Sequence, residues 1–364
     1  MDFELSPDQV ALQDAARDLL DDRAGHDQVR AHLSSGRPYD ESLWRALADQ
    51  GWLAIALAES DGGVGLSWVE AAVLLEQIGR HTAPVPFLPS LLALTALAGA
   101  EEPQSEWVSD LASGERMGCV AWSAHPDVLR AVAAAAGPGP SWTVSGRIGP
   151  VEGAAVADVA VVVTGDEVFS LEIDAAHRPP AEPAMDGTRV LSWLVLDEVP
   201  ATRLGGAALA AEVLDRGAVG ASAEILGGSD RVLEMAVQYA KDRIQFDQPI
   251  GSFQAIKHRC ADMLVDVEGM RSSNWYAAWA ISAGDPDASA AASTAKVWSS
   301  DAAKRVMASG LQVHGGIGFT WEHDLHLYMK RSQFDRLSYG DAVYHRERLA
   351  GLLRSRLVSG SGIF

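Results

Sequence analysis

Arg243-Ile244-Gln245-Phe246-Asp247-Gln248-Pro249-Ile250-Gly251-Ser252-Phe253-Gln254 is the stretch from which the rest of the chain can be ordered. It joins two long helical patterns, Ala211 to Lys241 before it and Phe253 to Gly284 after it. A third pattern runs from Pro286 to Gly310 and a fourth from Ala342 to Leu357. Short turns containing Gly, Pro or Asp join them, as antiparallel packing of successive helices requires. Residues 207–364 therefore read as a four-helix bundle. Within the joint, Arg243 can offer a two-pronged guanidinium to a phosphate, and Phe246 a flat apolar face beside it. The plainer reading of Arg243 is a cation at a helix C-terminus, where the carbonyl ends favour positive charge.

Upstream, Ser6-Pro7-Asp8 reads as an N-cap, a proline at the first helical position and an acid in the first turn. Val10, Leu12, Ala15, Leu19 and Leu20 mark one helix face, and Leu43, Trp44, Leu47 and Ala48 another that Gly51 stops. The turn Ser60 to Gly65 precedes a further helix from Ser67 to Gly79, so residues 1–115 form an all-α unit. After Gly118 the pattern changes. Trp142 to Gly146 alternates, Val159 to Val163 is a β-branched run, and Val168 to Ile173 and Leu191 to Leu196 are short strands. Their punctuation by Gly, Pro and Asp suits a small β-barrel over residues 116–206, with a Gly-Pro-Gly-Pro linker at 137–140. The fold class is thus α+β and multidomain: N-terminal helices, a middle β-barrel and a C-terminal four-helix bundle.

Composition narrows the function. The 364 residues are 48% hydrophobic and 21% charged, ordinary for a globular chain of two or three domains. A net charge of −20 argues against nucleic acid and anionic membranes, whose binding is mainly electrostatic. An anionic ligand must then be held by local positive groups, which gives single arginines near glycine turns more weight. Cys119 and Cys260 are far apart and read as small apolar residues in a reducing compartment. The acidic MDFELSPDQ start lacks a signal-peptide pattern, and the apolar run Phe87 to Ala100 is too short to span a bilayer. The expected location is the cytoplasm.

A second segment, Gln312-Val313-His314-Gly315-Gly316-Ile317-Gly318-Phe319, places three glycines within four residues after a helix. Such a backbone can bring N–H groups close to an anion, or simply make a tight interhelical turn. Together the two segments carry a resemblance. YAKDRIQFDQPIGSFQAIKHRCADM (239–263) and QVHGGIGFTWEHDLHLYMKR (312–331) resemble the C-terminal signatures of the acyl-CoA dehydrogenase family. LWRALADQGWLAIALAESDGGVGLSWVE (43–70) is similar to its N-terminal helical domain, and WTVSGRIGPVEGAAVADVAVVV (142–163) to its β-domain. The resemblance implies FAD with its flavin against one subunit's barrel and its ADP part against a neighbour's bundle. Arg243, Phe246, Gln254, Gln312, Gly315 and Gly316 match the neighbour-contacting positions. It also implies α,β-dehydrogenation of an acyl-CoA thioester, with electrons passed to an electron-transfer flavoprotein.

The chain departs from the family where the chemistry is done. Removing the α-proton needs a positioned carboxylate, which contributes about 10²–10⁴ in rate. Ungapped counting puts Gly340 at one family glutamate position, after Tyr339, and Gly217 at the alternative one on the first bundle helix. Asp341 is one residue late, a displacement of about 3.8 Å that a shifted loop would have to absorb. Its plainer reading is a helix N-cap. Asp215, two residues before Gly217, reads as a solvated face. The family's Thr-Glu-Pro-x-x-Gly-Ser-Asp-like flavin stretch is replaced by Trp122-Ser123-Ala124-His125-Pro126-Asp127. Both losses resemble the base-lacking subunit of actinobacterial heterotetrameric (α2β2) enzymes that act on steroid side chains. The resemblance thus implies an unlike partner subunit carrying the glutamate. A self-sufficient homo-oligomer using Asp341 and a non-catalytic paralogue are the competing readings. Glu322-His323-Asp324-Leu325-His326 reads as part of a family helix, not a metal site. His345 to Arg348 reads as a salt-bridged helix surface, His258 as a satisfied bundle histidine, and Trp275 and Trp279 as core or subunit interface.

Overall fold

The computed structural model describes residues 4–102, 104–133, 142–175 and 178–359. The linker expected at 137–140 lies outside the described residues. Helices α1 (Pro7–Arg23), α2 (His26–Ser35), α3 (Glu41–Asp49), α4 (Trp68–Arg80), α5 (Phe87–Ala98) and α6 (Ser105–Ser113) come first. Strands β1 (Gly118–Ala121), β2 (Leu129–Ala133), β3 (Trp142–Glu152), β4 (Val159–Thr164), β5 (Glu167–Glu172) and β6 (Leu191–Gly205) follow. Then come α7 (Ala207–Asp242), a hairpin of β7 (Ile244–Gln245) and β8 (Gln248–Pro249), α8 (Gln254–Ser282), α9 (Ala288–His314), α10 (Leu325–Leu337) and α11 (Ala342–Ser359). The α1 start is a full capping box: the Ser6 hydroxyl accepts from the Gln9 N–H while the Gln9 side chain accepts from the Ser6 N–H.

The chain divides into two compact units, Met1–Asp27 with Ala72–Ala83 and Ala218–Phe364, and Gln28–Ala71 with Pro84–Gly217. In the second unit six strands pair in the order β1-β4-β5-β6-β3-β2. The β1–β4 pair is parallel and the others antiparallel, so the sheet is mixed. Along β6, Ser192, Leu194 and Leu196 point inward while Trp193, Val195 and Asp197 face solvent, the period-2 pattern of a strand with one wet face. One apolar cluster takes residues from all six strands, among them Cys119, Leu129, Ile148, Val162, Phe169 and Leu194. The sheet thus folds around a single core, as a small barrel does. Helix α5 is buried from Phe87 to Leu97, as a helix apolar on every side must be. Its Ser90 hydroxyl donates to the Gly118 carbonyl at 3.1 Å, fixing α5 to β1.

In the first unit, α4 and α7 cross at glycine. A Cβ on Gly227 would lie 1.8 Å from the Glu76 carbonyl oxygen, and one on Gly79 would lie 2.1 Å from that of Glu224. The two backbones touch because neither glycine carries a side chain. Arg331 of α10 is buried and donates to the Glu224 carboxylate at 3.0 Å and to the Ala83 carbonyl at 3.1 Å. Helix α10 was not among the four long helical patterns; the helix expected over 322–326 begins only at Leu325, so Glu322, His323 and Asp324 lie in the turn before it. Its buried face begins with Leu325, Leu327 and Tyr328 but continues through Arg331, Ser332 and Asp335, so the apolar signal covers only its start. No helix among the described residues is long and apolar enough to cross a membrane.

Candidate functional site

The joint between α7 and α8 is held from both sides. The Arg243 N–H donates to the Tyr239 carbonyl at 2.9 Å, and the Ile250 N–H to the Arg243 carbonyl at 2.8 Å. Between them the chain reverses through β7 and β8, with Gln245 paired to Gln248. The two turn residues, Phe246 (φ 53°) and Asp247 (φ 61°), are both left-handed. Two-residue hairpins of this kind usually place Asn-Gly here, so holding a phenylalanine and an aspartate costs about 1 kcal/mol each or more. The result is a rigid knob. Phe246 is 85% exposed, its ring braced edge-to-face at 6.0 Å by Phe253. Arg243 is also exposed, and among the described residues no side-chain hydrogen bond or ion pair engages its guanidinium. Gln254 opens α8 on the surface, its side-chain oxygen 3.3 Å from His258 Nε2. His258 itself is exposed, with Gln254 on the same helix as its partner.

The end of α9 meets the end of α7. His314 stacks on Tyr239 with ring centroids 4.8 Å apart, and Tyr239, Ala240, Ile250, Ile256, Leu311 and Val313 belong to one apolar cluster. Arg243, Phe246, Gln254, Gln312, Gly315 and Gly316 are thereby gathered at one end of the bundle. Gly315 (φ 61°) terminates α9 with its N–H on the Leu311 carbonyl. A Cβ at Gly315 or Gly316 would meet nothing within 4 Å, so the chain's own packing leaves the space beside this turn empty. Residues 239–263 carry four Lys/Arg against three Asp, locally positive in a chain of net charge −20. An unengaged guanidinium, exposed amides, an aromatic face and an open glycine turn fit a dinucleotide diphosphate.

The positions where a catalytic carboxylate would sit are occupied differently. Gly340 is buried with φ 92°, and a Cβ there would lie 2.5 Å from Tyr344 Cδ1 and 2.9 Å from His345 Nε2. Asp341 accepts from the Val343 and Tyr344 N–H groups at 3.0 and 2.9 Å, capping α11. Gly217 lies inside α7 and is buried. Asp215 is only 5% exposed, which corrects its reading as a solvated face: that side of α7 is packed. Trp122–Asp127 connects β1 to β2.

Beneath the Tyr339–Gly340 turn lies a cluster that the sequence did not suggest. His345 is fully buried, so residues 345–348 are not simply a salt-bridged surface, although Arg346 does pair with Asp301. His345 Nε2 donates to the Tyr339 carbonyl at 2.8 Å and Nδ1 lies 3.2 Å from the Ser293 hydroxyl. Lys296, also fully buried, donates to the Asp335 carbonyl, and burial pulls its amine well below the usual lysine range. A lysine in an alanine-rich helix reads as surface, so no local signal marked it. Burial, with the nearby Lys296 and Arg348 charges adding, pushes the His345 imidazole down to about 4. A histidine depressed in the folded state from 6.5 costs stability as pH falls from about 6.5 to about 4 and is neutral above that window. Wild-type protein is therefore expected to lose on the order of 2–3 kcal/mol more than His345→Gln across that range. Urea melts at several pH values check this; parallel curves for the two proteins would show that His345 does not set the acid sensitivity.

Among the described residues, no three His, Cys, Asp or Glu side chains are grouped as a metal site would need. Of the 322–326 segment, Asp324 pairs with His26 Nδ1 at 2.8 Å and His323 meets His314 edge-on at 4.5 Å. Trp279 is partly exposed and stacks on Tyr276.

Comparison with known proteins places this architecture. Residues 6–115 match the model of the acyl-CoA dehydrogenase N-terminal domain, and residues 205–353 that of the C-terminal domain. Acyl-CoA dehydrogenase IpdE2 of Mycobacterium tuberculosis is 36% identical over 88% of this chain and 89% of its own length. A variant of the Tcur3481-Tcur3483 steroid ACAD superposes with TM-score 0.89 and 32% identity, covering 96% of this chain and 99% of the other. The ChsE4-ChsE5 complex from Mycobacterium tuberculosis does so with TM-score 0.88 and 30% identity, over 97% and 99%. With both terminal domains matched and the sheet between them, the chain belongs to the acyl-CoA dehydrogenase family, whose cofactor is FAD.

Proposed function

We propose that this chain is the base-free subunit of an FAD-dependent acyl-CoA dehydrogenase and completes a cofactor site whose flavin ring rests in an unlike subunit. The observation that carries the reading is a contrast within one unit. The glycine turn at Gly315–Gly316 is open to a ligand, whereas the Gly340 position is closed by Tyr344 and His345. Arg243 and Gln312 would hold the diphosphate, Gly315 and Gly316 would let the backbone N–H groups approach it, and Phe246 would pack beside the cofactor with Gln254 at the rim. When bound, FAD supplies the hydride acceptor for α,β-dehydrogenation of an acyl-CoA; the proton acceptor comes from the partner chain. The names of the steroid ACAD and of the ChsE4-ChsE5 complex each give two components, which supports an unlike partner chain, and the former's steroid supports a bulky acyl group; an α2β2 assembly is part of the proposal. An electron-transfer flavoprotein is the proposed electron acceptor.

The self-sufficient reading would require Asp341 to serve as base while its Oδ1 holds both N-cap hydrogen bonds of α11. Flavin content distinguishes the three readings. The native complex is expected to hold about half a FAD per family chain, counting both kinds, because each site draws on two unlike chains. One FAD per chain with turnover in the lone protein would support the homo-oligomer and rule out the proposal. No flavin in either preparation would favour a non-catalytic paralogue.

A further inference from the structure

We infer that His314 is a positioning residue for the diphosphate grip: its ring, stacked on Tyr239 and edge-on to His323, fixes the distance between Arg243 and the Gly315–Gly316 turn. This rests on the reading of those residues as the FAD-contacting set and adds to it a residue assigned no role so far. Arg243 and the glycine turn come from separate helices, α7 and α9, and neither carries a side-chain contact to the other. Their relative position must be set behind them. Tyr239, whose carbonyl receives the Arg243 N–H, lies at 28° to the His314 ring with centroids 4.8 Å apart. His314 also meets His323 edge-on, with centroids 4.5 Å apart and the planes at 64°.

The His314 ring cannot turn freely. His314 Nδ1 donates to the Gly310 carbonyl at 2.7 Å, which places the proton on Nδ1 and orients the plane. His323 is held in turn, its Nδ1 accepting from the Leu325 N–H at 3.2 Å. A Cβ on Gly318 would come within 3.1 Å of His314 Cβ, so the chain after the turn closes on the same residue. Burial lowers the His314 imidazole's affinity for protons, which keeps it a neutral, stackable ring. Three segments, the end of α7, the end of α9 and the turn before α10, are therefore joined through His314, the residue that immediately precedes the glycine turn.

The test uses the full-length chain, tagged and recovered from its native host with whatever chain accompanies it, stripped of flavin and titrated with FAD by flavin fluorescence. His314→Ala is expected to weaken FAD binding about tenfold or more, since displacements near 1 Å are costly in pre-positioned sites. His314→Phe, which keeps a flat ring against Tyr239 and His323, is expected to bind within about threefold of wild type. Val313→Ala removes buried apolar surface from the same cluster and should lower Tm without a comparable loss of affinity. Unchanged affinity in His314→Ala overturns the inference. So does equal weakening in His314→Ala and Val313→Ala, or a His314→Phe protein as poor as His314→Ala. Arg243→Ala separates the two levels: if it binds FAD normally, the cofactor assignment and the inference fall together. If it weakens binding while His314→Ala does not, only the inference falls.

Discussion

Gly227→Ala should unfold the helical unit at temperatures where the wild-type chain is stable. The added methyl would sit 1.8 Å from the Glu76 carbonyl oxygen, roughly 1.5 Å inside ordinary contact. The obstacle is backbone, not a side chain that can rotate away, so α4 and α7 would have to move apart. Moving them disturbs the matching contact of Gly79 with Glu224 and the Arg331–Glu224 pair one turn away, whose charges are buried together. Overpacking alone usually costs about 1–3 kcal/mol, and a strained buried ion pair adds to it, so a loss of about 4 kcal/mol is expected. That is a large share of a typical stability of about 5–15 kcal/mol. Thermal and urea melts of the full chain read it; a shift of only a degree or two in Tm would mean that the helices have more freedom than their contact suggests.

Gly340→Glu should create no activity, although it returns a glutamate to the position where family members carry one. A glutamate Cβ at φ 92° meets both a strained backbone and the Tyr344 and His345 rings, 2.5 and 2.9 Å away. The substitution is expected to destabilise by about 2–3 kcal/mol. Its carboxylate would also displace the His345 bond to the Tyr339 carbonyl. Acyl-CoA-dependent bleaching of flavin absorbance gives the readout. A Gly340→Glu chain that turned over substrate without any partner would show that the position is a dormant active site instead of a closed one.

Much of the architecture could be read from helix punctuation. Arg243 to Gln254 separates α7 from α8 because Pro249 has no N–H to give a helix interior, and observed ends at Asp242 and Gln254 lie close to the expected ones. The short strands β1 and β2 were missed, since Gly118–Ala121 and Leu129–Ala133 are too brief to show a period. Helix α10 was read only through the 322–326 segment: beyond Tyr328 its buried face is polar, and Arg331 there pairs with Glu224, over a hundred residues earlier. Of the site, the candidate ligand-facing residues were named through the resemblance of residues 239–263 and 312–331 to the family's signatures; a single arginine or glycine turn would not have marked them, since others in this chain serve ion pairs and helix crossings. The support behind those residues was not legible. Tyr239, His314 and His323 are 9 to 84 residues apart in sequence, and nothing in their spacing shows that their rings meet. Lys296 and His345 were hidden likewise, because only tertiary packing buries them.

The α4–α7 crossing also dictates an order of events while the protein is being made. Helix α4 lies in the first quarter of the chain, yet its close partner spans residues 224–227, and the arginine that braces that partner is Arg331. As translation proceeds, residues 72–83 emerge with only α1, whose Asp21 pairs with His81, available from their own unit. The segment must wait, its apolar face exposed to the cell's holding chaperones, until more than 140 further residues have left the ribosome. A nascent chain stopped before Gly227 therefore cannot bury this helix, whereas the sheet unit's strands are complete by Gly205.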